Sequence, residues 1–432
     1  MLAGLASAAL VAGLLLASAA PAQAASLLSE ATWGGPASEA TEGTAIAPDG
    51  STYLAGFTTS FDPFGELEIF LVKFAPDGSL EWQRTWEGPA QFANDQANDV
   101  AVAPDGSAYV TGSTLGVAGD VVLLKFSAAG SLLWQKRWDS GGTESGEGVA
   151  VGGDGSIYVV GGTSAGNGNI LVLKFSVDGT VAWQKTWGPA GGNTSVAVGP
   201  DGNIYVAGGA ARPGGSGSDA ILLKLDPAGL LLMQKAYSAS EIADSRGGVA
   251  VAADGYIYLA GAIQASDRKV VVDAMLVKFA PDCSVVWDRS WGGRSGDVSG
   301  AVAVKPDGTV LWAGDTNSFG AGSDDAFLLQ MSPEGRAMES NTWGGTGIDH
   351  ANGIEVAADG TTLLGGTTET SSHVFDGAAS RTSRLRGTVA TPNNTLGDVA
   401  GAAVDAGGTT AEPAGTSPGA GGFDAALVKI GP

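Results

Sequence analysis

The chain is 432 residues long, 44% hydrophobic and 16% charged, with 69 glycines, 11 tryptophans and a formal net charge of −23. Many turns, many aromatics and few charges describe an all-β protein with a large core rather than a disordered chain. The acidic balance excludes nucleic acid, whose binding needs basic patches, and disfavours anionic membrane surfaces.

At the N-terminus, residues 2–20 form an unbroken apolar and small run, followed by Pro21-Ala22-Gln23-Ala24. That is an A-x-A cleavage pattern of the secretory type. Residues 1–24 are expected to be a signal peptide and residues 25–432 the mature domain. No Lys or Arg precedes the run, so an uncleaved anchor is the competing reading. No Cys follows the cleavage site, which argues against a lipoprotein, and no other apolar stretch is long enough to span a bilayer.

A phrase of about fifty residues then repeats along the chain, so each unit buries its apolar faces against its neighbours. Its Asp-Gly turns fall at Asp49, Asp105, Asp154, Asp201, Asp254, Asp307, Asp359 and, degenerately, Asp405, giving eight copies. Four short strands surround each turn. Strand a precedes it; strand b carries Tyr four residues after the Asp, as at Tyr53, Tyr109, Tyr158, Tyr205 and Tyr258. Strand c is an L-x-K-F run, and strand d holds W-Q-x-x-W, as in Trp82/Trp86, Trp134/Trp138 and Trp183/Trp187. Strands rich in β-branched and aromatic residues between Asp-Gly turns are hairpin chemistry. Cys283, the one cysteine, sits at a turn position that is Gly78, Gly130, Gly179, Gly229 and Gly335 in other copies, and reads as drift rather than as a nucleophile.

The last two copies, about residues 352–432, are degenerate. Residues 368–395 keep neither L-x-K-F nor the Trp pair and carry Arg381, Arg384 and Arg386, a worn blade or an anion site. The eighth strand b reads Thr410-Ala411-Glu412-Pro413-Ala414-Gly415, and Pro is tolerated only at an edge or bulge.

Four antiparallel strands per unit compose a propeller blade. The last unit stops after strand c at Leu427-Val428-Lys429-Ile430, while residues 26–33 align with the strand d at residues 79–86. We therefore expect one closed β-propeller of eight four-stranded blades, with seven as the alternative. The N-terminal strand should complete the last blade and close the ring.

The phrase D-x-A-x-G-(I/V)-x-V-x-x-D-G-x-x-Y-V-x-G-x-T, then G-x-x-D-A-x-L-x-K and W-x-x-x-W-G-G, resembles the bacterial SBBP-type β-propeller repeat. Residues 349–366 carry much of it, with Leu363 in place of Tyr; Asp273-Ala274-Met275-Leu276-Val277-Lys278 and Trp291-Gly292-Gly293 supply other portions. The resemblance covers nearly all of residues 25–432 and is weak between Glu369 and Ala420. It implies an exported or cell-surface protein, mostly without an assigned activity in this family, and seven blades against the eight turns counted.

Chemistry can be sought in two acidic columns. Glu39, Asp95, Glu144, Asp244, Asp297 and Asp349 stand ten residues before the turn Asp. Glu68, Asp120, Asp219, Asp273, Asp325 and Asp424 stand five before the strand c Lys, with Asn169 in the third unit. Up-and-down topology places both columns on one face, as two nearly complete acidic rings. They are expected either to lock loops by accepting backbone N–H groups or to bind cations such as Ca²⁺; no other cofactor is expected. Lys73, Lys125, Lys174, Lys224, Lys278 and Lys429 should pair with turn aspartates, and the Trp and Tyr columns should pack the core. His350 and His373 are the only histidines, so a Ser-His-Asp arrangement has little to draw on.

Two functions are weighed. One is a non-enzymatic propeller, expected to be a monomer, that serves as a binding or scaffold module for a protein or glycan and is secreted, periplasmic or at the cell surface. The other is a quinoprotein-like dehydrogenase, since L-x-K-F-x-x-x-G-x-x-x-W is similar to the tryptophan-docking repeat of that class. The absence of a vicinal Cys pair and of pocket-forming insertions stands against it.

Overall fold

Each Asp-Gly pair makes the turn that its chemistry dictates. Asp49 Oδ1 accepts the N–H of Ser51 at 2.9 Å, and Gly50 takes the left-handed φ of 83° that closes the hairpin. The same aspartate-to-backbone bond recurs at Asp105, Asp154, Asp201, Asp254, Asp307 and Asp359. Cys283 adopts φ 57°, alone among non-glycine residues of the described chain, so a side chain occupies a turn position built for glycine.

The computed structural model describes residues 25–89, 94–115, 119–165, 169–188, 191–212, 217–239, 243–244, 247–264, 271–369, 372–377, 382–385, 387–392, 394, 396–413 and 422–431. Their strands form seven antiparallel sheets, not eight. The first blade runs Glu39–Ile46, Thr52–Thr58, Glu68–Phe74 and Leu80–Glu87, from innermost to outermost. Five more follow in the same order. The seventh blade takes strands a and b from Asp349–Val356 and Thr362–Thr368, strand c from Asp424–Ile430 and strand d from Leu27–Trp33. Closure by the N-terminal strand is therefore as expected: Trp33 lies opposite Ala425 and Ala31 opposite Leu427.

The expected eighth blade is absent because its residues do something else. Between strands b and c of blade 7 the chain leaves the blade and circles the rim, adding a short fifth strand to each of the other six. Val374–Gly377 joins blade 6, Thr382–Ser383 blade 5, Thr388–Ala390 blade 4, Leu396–Asp398 blade 3, Ala402–Asp405 blade 2 and Thr409–Ala411 blade 1. The supposed turn at Asp405 and the supposed strand b at Thr410 thus belong to a belt, not to worn blades. Arg384 lies on this belt; Arg381 and Arg386 fall outside the described residues.

The belt keeps a register of seven residues per blade. Phe375 faces Trp343, Thr382 faces Trp291, Val389 faces Tyr237, Leu396 faces Trp187, Ala403 faces Trp138 and Thr410 faces Trp86. Seven extended residues reach at most about 25 Å, enough to pass from the outer edge of one blade to the next. Three residues after each facing position, Leu385, Val399 and Ala406 turn inward onto the core clusters of the rim.

The core itself lies between blades. One cluster joins Tyr53 and Trp86 of blade 1 to Val110, Val122, Leu124 and Phe126 of blade 2, and comparable clusters join the other neighbours. Burial of these faces drives the ring to close, since no blade can bury both of its faces alone. Among the described residues no helix is long and apolar enough to cross a membrane.

Candidate functional site

The two acidic columns do not form exposed rings. Glu39, Asp95, Glu144, Asp297 and Asp349 are all buried, because each accepts bonds that fasten one blade to the next. Gly35 N–H reaches Glu39 at 3.0 Å, Gly88 N–H reaches Asp95 at 2.7 Å, and Gly293 and Gly345 do the same to Asp297 and Asp349, each at 2.7 Å. A threonine hydroxyl at the end of strand b adds a second bond: Thr58 to Glu39 at 2.7 Å, Thr163 to Glu144 at 3.0 Å and Thr368 to Asp349 at 2.5 Å. The glycine after the second Trp of strand d is needed here. A Cβ at Gly344 would run into both Asp325 and Asp349. The side chain of Asp244 lies outside the described residues.

The strand c acids meet these carboxylates across the blade boundary. Asp424 and Glu39 converge on Gly34, Asp273 and Asp297 on Gly292, and Asp325 and Asp349 on Gly344. Glu68, Asp120, Asp325 and Asp424 are buried, and Asp219 and Asp273 half-buried. Arg137 lies 3.1 Å from Asp120 and Arg212 lies 2.6 Å from Asp219. Burial raises the Glu68, Asp95 and Asp325 carboxyls above the usual range, and carries Asp120 to about 6 against the pull of Arg137. Asp120, Asp139 and Glu144 bring three carboxylates within 4.8 Å, but Arg137 pairs with Asp120, Gly141 N–H donates to Asp139, and Ser140 and Thr163 donate to Glu144.

The lysine column divides. Lys73, Lys174 and Lys224 reach Asp49, Asp154 and Asp201 at 3.6, 3.7 and 2.9 Å, as expected. Lys278 instead donates to the carbonyl of Pro333 in the next blade at 3.0 Å, and Lys429 to that of Pro76. The tyrosine column and the second Trp of each pair are buried core.

Among the described residues every blade contributes to the central channel, a cavity of about 650 Å³. Strand a lines it, and a β-bulge in that strand re-aims one residue inward in at least five blades. The bulged residues are Glu42, Asn98, Glu147, Gly300 and Asn352. Three of them bridge to the next blade: Asn98 Nδ2 donates to Gly146 O at 2.7 Å, Asn352 Nδ2 to Thr41 O at 2.7 Å, and Glu147 accepts from Thr194 N at 2.6 Å. The described lining also holds Asp99 and Asp315, and no lysine or arginine. Burial pushes Glu42 up to about 7 and Asp99 to about 7, while burial, with the Asp99 charge adding to it, takes Glu355 to about 8. His350 Nδ1 lies 3.1 Å from Asp315, whose hydrogen bond raises the imidazole above its usual range. Nearby Asp324 is raised by burial to about 6. This set was missed in the sequence, although it is written there, three residues after each strand a acid: Glu39 to Glu42, Asp95 to Asn98, Glu144 to Glu147, Asp349 to Asn352.

What the fold and channel define is a seven-bladed β-propeller with a carboxylate-lined axis. No family model matches the chain, and no curated protein matches it. Solved structures similar to it include Sqt1 from Chaetomium thermophilum, at 13% identity over 79% of this chain and 83% of that one, TM-score 0.46. A PL25 polysaccharide lyase (ulvan lyase) is similar at 11% identity over 81% and 94%, TM-score 0.44. A protein of unknown function from Bacteroides caccae follows at 14% identity over 63% and 89%, TM-score 0.41.

Proposed function

We propose that this chain is an exported, monomeric, non-enzymatic binding module, and that its channel receives cationic groups presented by a partner protein. The observation that carries this reading is the channel lining: Glu42, Asp99, Glu147 and Asp315 face one cavity, and its described lining holds no lysine or arginine. A net charge of −23 steers a basic segment toward the ring, and low-dielectric walls focus that field along the axis. The bulged amides Asn98 and Asn352 add fixed polar groups at the same depth. Calorimetric titration with a lysine-rich peptide at two salt concentrations tests the reading. Binding that weakens with salt and falls about tenfold in a Glu42→Gln/Glu147→Gln variant is expected. Salt-independent binding of a neutral oligosaccharide, unaffected by those substitutions, would overturn it.

A further inference from the structure

Along the rim, the belt residue two after a facing position comes opposite the residue that follows the glutamine of strand d. In three blades an acid meets a cation there. Glu412 lies 3.8 Å from Arg84 in blade 1, Asp405 lies opposite Lys136 in blade 2, and Asp398 pairs with Lys185 in blade 3. Blade 5 inverts the rule. Ser383 lies opposite Ser290, which brings Arg384 to Arg289, so two like charges repel where the other blades attract.

A third cation borders the same place. In blade 1 Glu81 holds Lys73 at 2.8 Å, but blade 5 has Val286 in place of that glutamate. The buried Lys278 turns instead to a neutral partner, the carbonyl of Pro333 at 3.0 Å, and its ammonium lies 4.1 Å from the ring centre of Tyr256. Burial lowers Lys278 below its usual range. Burial and then the Arg384 charge lower Arg289, against the pull of Asp288. Arg289 donates Nε to Gly335 O and Nη1 to Asp288 O, which leaves Nη2 without a bond among the described residues.

Lys278, Arg289 and Arg384 line one cavity of about 590 Å³, flanked by half-buried Tyr256 and exposed Val286. Its two acids are engaged elsewhere, although both pull on Lys278 at longer range. Asp254 accepts the N–H of Tyr256 at 3.2 Å, and Glu334 accepts from Ser332 and lies 3.7 Å from Arg336.

We propose that this cavity binds an acidic sugar unit, a single carboxylate carried on a pyranose ring. The carboxylate lies between the Arg384 and Arg289 guanidiniums, whose planar donors match it, and the ring covers Tyr256 and Val286. A bare inorganic anion leaves that apolar flank wet. A dense polyanion meets the repulsion of a chain with net charge −23, which grows with every charge the ligand carries. The site is opposite in sign to the channel and does not depend on the reading of the channel.

Calorimetric titration of the whole chain with oligogalacturonate and oligoglucuronate, each beside its methyl ester, and with sodium sulfate tests the proposal. At least one acid should bind, and its ester and sulfate should bind about tenfold more weakly or worse. Arg384→Glu restores the acid of blade 1 opposite Arg289. It should weaken the acid about tenfold or more and raise the melting temperature by about 1 °C. Arg384→Gln, which removes the charge without making a new pair, should weaken the acid as well. Failure of both acids to bind, an ester or sulfate that matches the acid, or a loss confined to Arg384→Glu would each overturn the assignment.

Discussion

The indole Nε1 of Trp138 lies 2.8 Å from Oε1 of Gln184, one blade further round, and the same Gln184 amide donates to the belt at Val399 and Gly401. One side chain therefore ties together two blades and the strap around them. The arrangement recurs as Trp86–Gln135–Gly408 and Trp187–Gln234–Pro392, which explains the Gln in W-Q-x-x-W. Where blade 5 has Asp288 instead, the polarity inverts: Tyr237 and the belt N–H of Gly387 both donate to the carboxylate.

Gln184→Leu should accordingly cost about 2–4 kcal/mol, since it strands a buried indole N–H and two carbonyls. Urea unfolding gives the loss. Limited proteolysis should cut the belt near residue 400 sooner than in the parent; equal cutting would show that the glutamine does not hold it.

Cys283 and Met233 form a compensating pair. In other copies the turn glycine packs under the first Trp of the preceding blade, as Gly229 does under Trp183 and Gly335 under Trp287. Blade 4 has Met233 in place of that Trp, and it packs with buried Cys283 in one cluster. Met233→Trp alone should destabilise by about 1–3 kcal/mol through overpacking. The double variant Met233→Trp/Cys283→Gly should recover most of that loss, also relieving about 1 kcal/mol of left-handed strain. Additive effects in a double-mutant cycle would contradict the pairing.

The carboxylate pair around Gly344 has two unequal members. Asp349 holds the Gly345 N–H and the Thr368 hydroxyl, so Asp349→Ala should cost about 2–4 kcal/mol. Asp325 is pushed up by burial, with Asp349 adding to the rise, so Asp325→Asn should be tolerated at neutral pH. Thermal unfolding of the two variants side by side checks the asymmetry.

Stability should fall as pH rises from about 5 to 8. Glu42, Asp99 and Glu355 have raised pKa values near 7, 7 and 8, so the folded state binds more protons than the unfolded chain across that window, and the derivative of unfolding free energy with pH is negative. His350, also raised, contributes with the same sign. At the acid end the turn carboxylates reverse the trend. Hydrogen bonds hold Asp201 at about 2 against burial, so its contribution is lost as pH falls below the unfolded value toward that figure. The melting temperature should peak at about pH 5, and Glu355→Gln should flatten the upper limb.

Much of the ring was legible because hairpin chemistry is local. Asp49-Gly50, Tyr53 and the Trp82/Trp86 pair state a blade within fifty residues, and the match of residues 26–33 to a strand d stated the closure. The blade count was not legible in the same way. Asp405 looks like a turn aspartate, yet Ala402–Asp405 pairs with Lys136–Asp139, more than two hundred and sixty residues earlier, a partner no local pattern names. The belt's period of seven was present at Gly387, Gly401 and Gly408, but it is set by the spacing of the blades and not by any turn of its own. The spacing of the acidic columns was legible, but their burial was not, because the glycines that admit the carboxylates also bury them. The channel residues escaped because a bulge shifts strand register by one, which defeats simple alternation.

Blade 7 draws its strands from residues 27–33, 349–368 and 424–430. During synthesis its two inner strands must therefore wait, exposed along one face, while the belt emerges and lays itself round the six finished blades. Only once residues 424–430 have been made can they pair with residues 27–33. Pairings this distant in sequence form slowly, so ring completion should be the late event of folding, and a chain shortened by a single C-terminal strand should accumulate as an open, aggregation-prone arc.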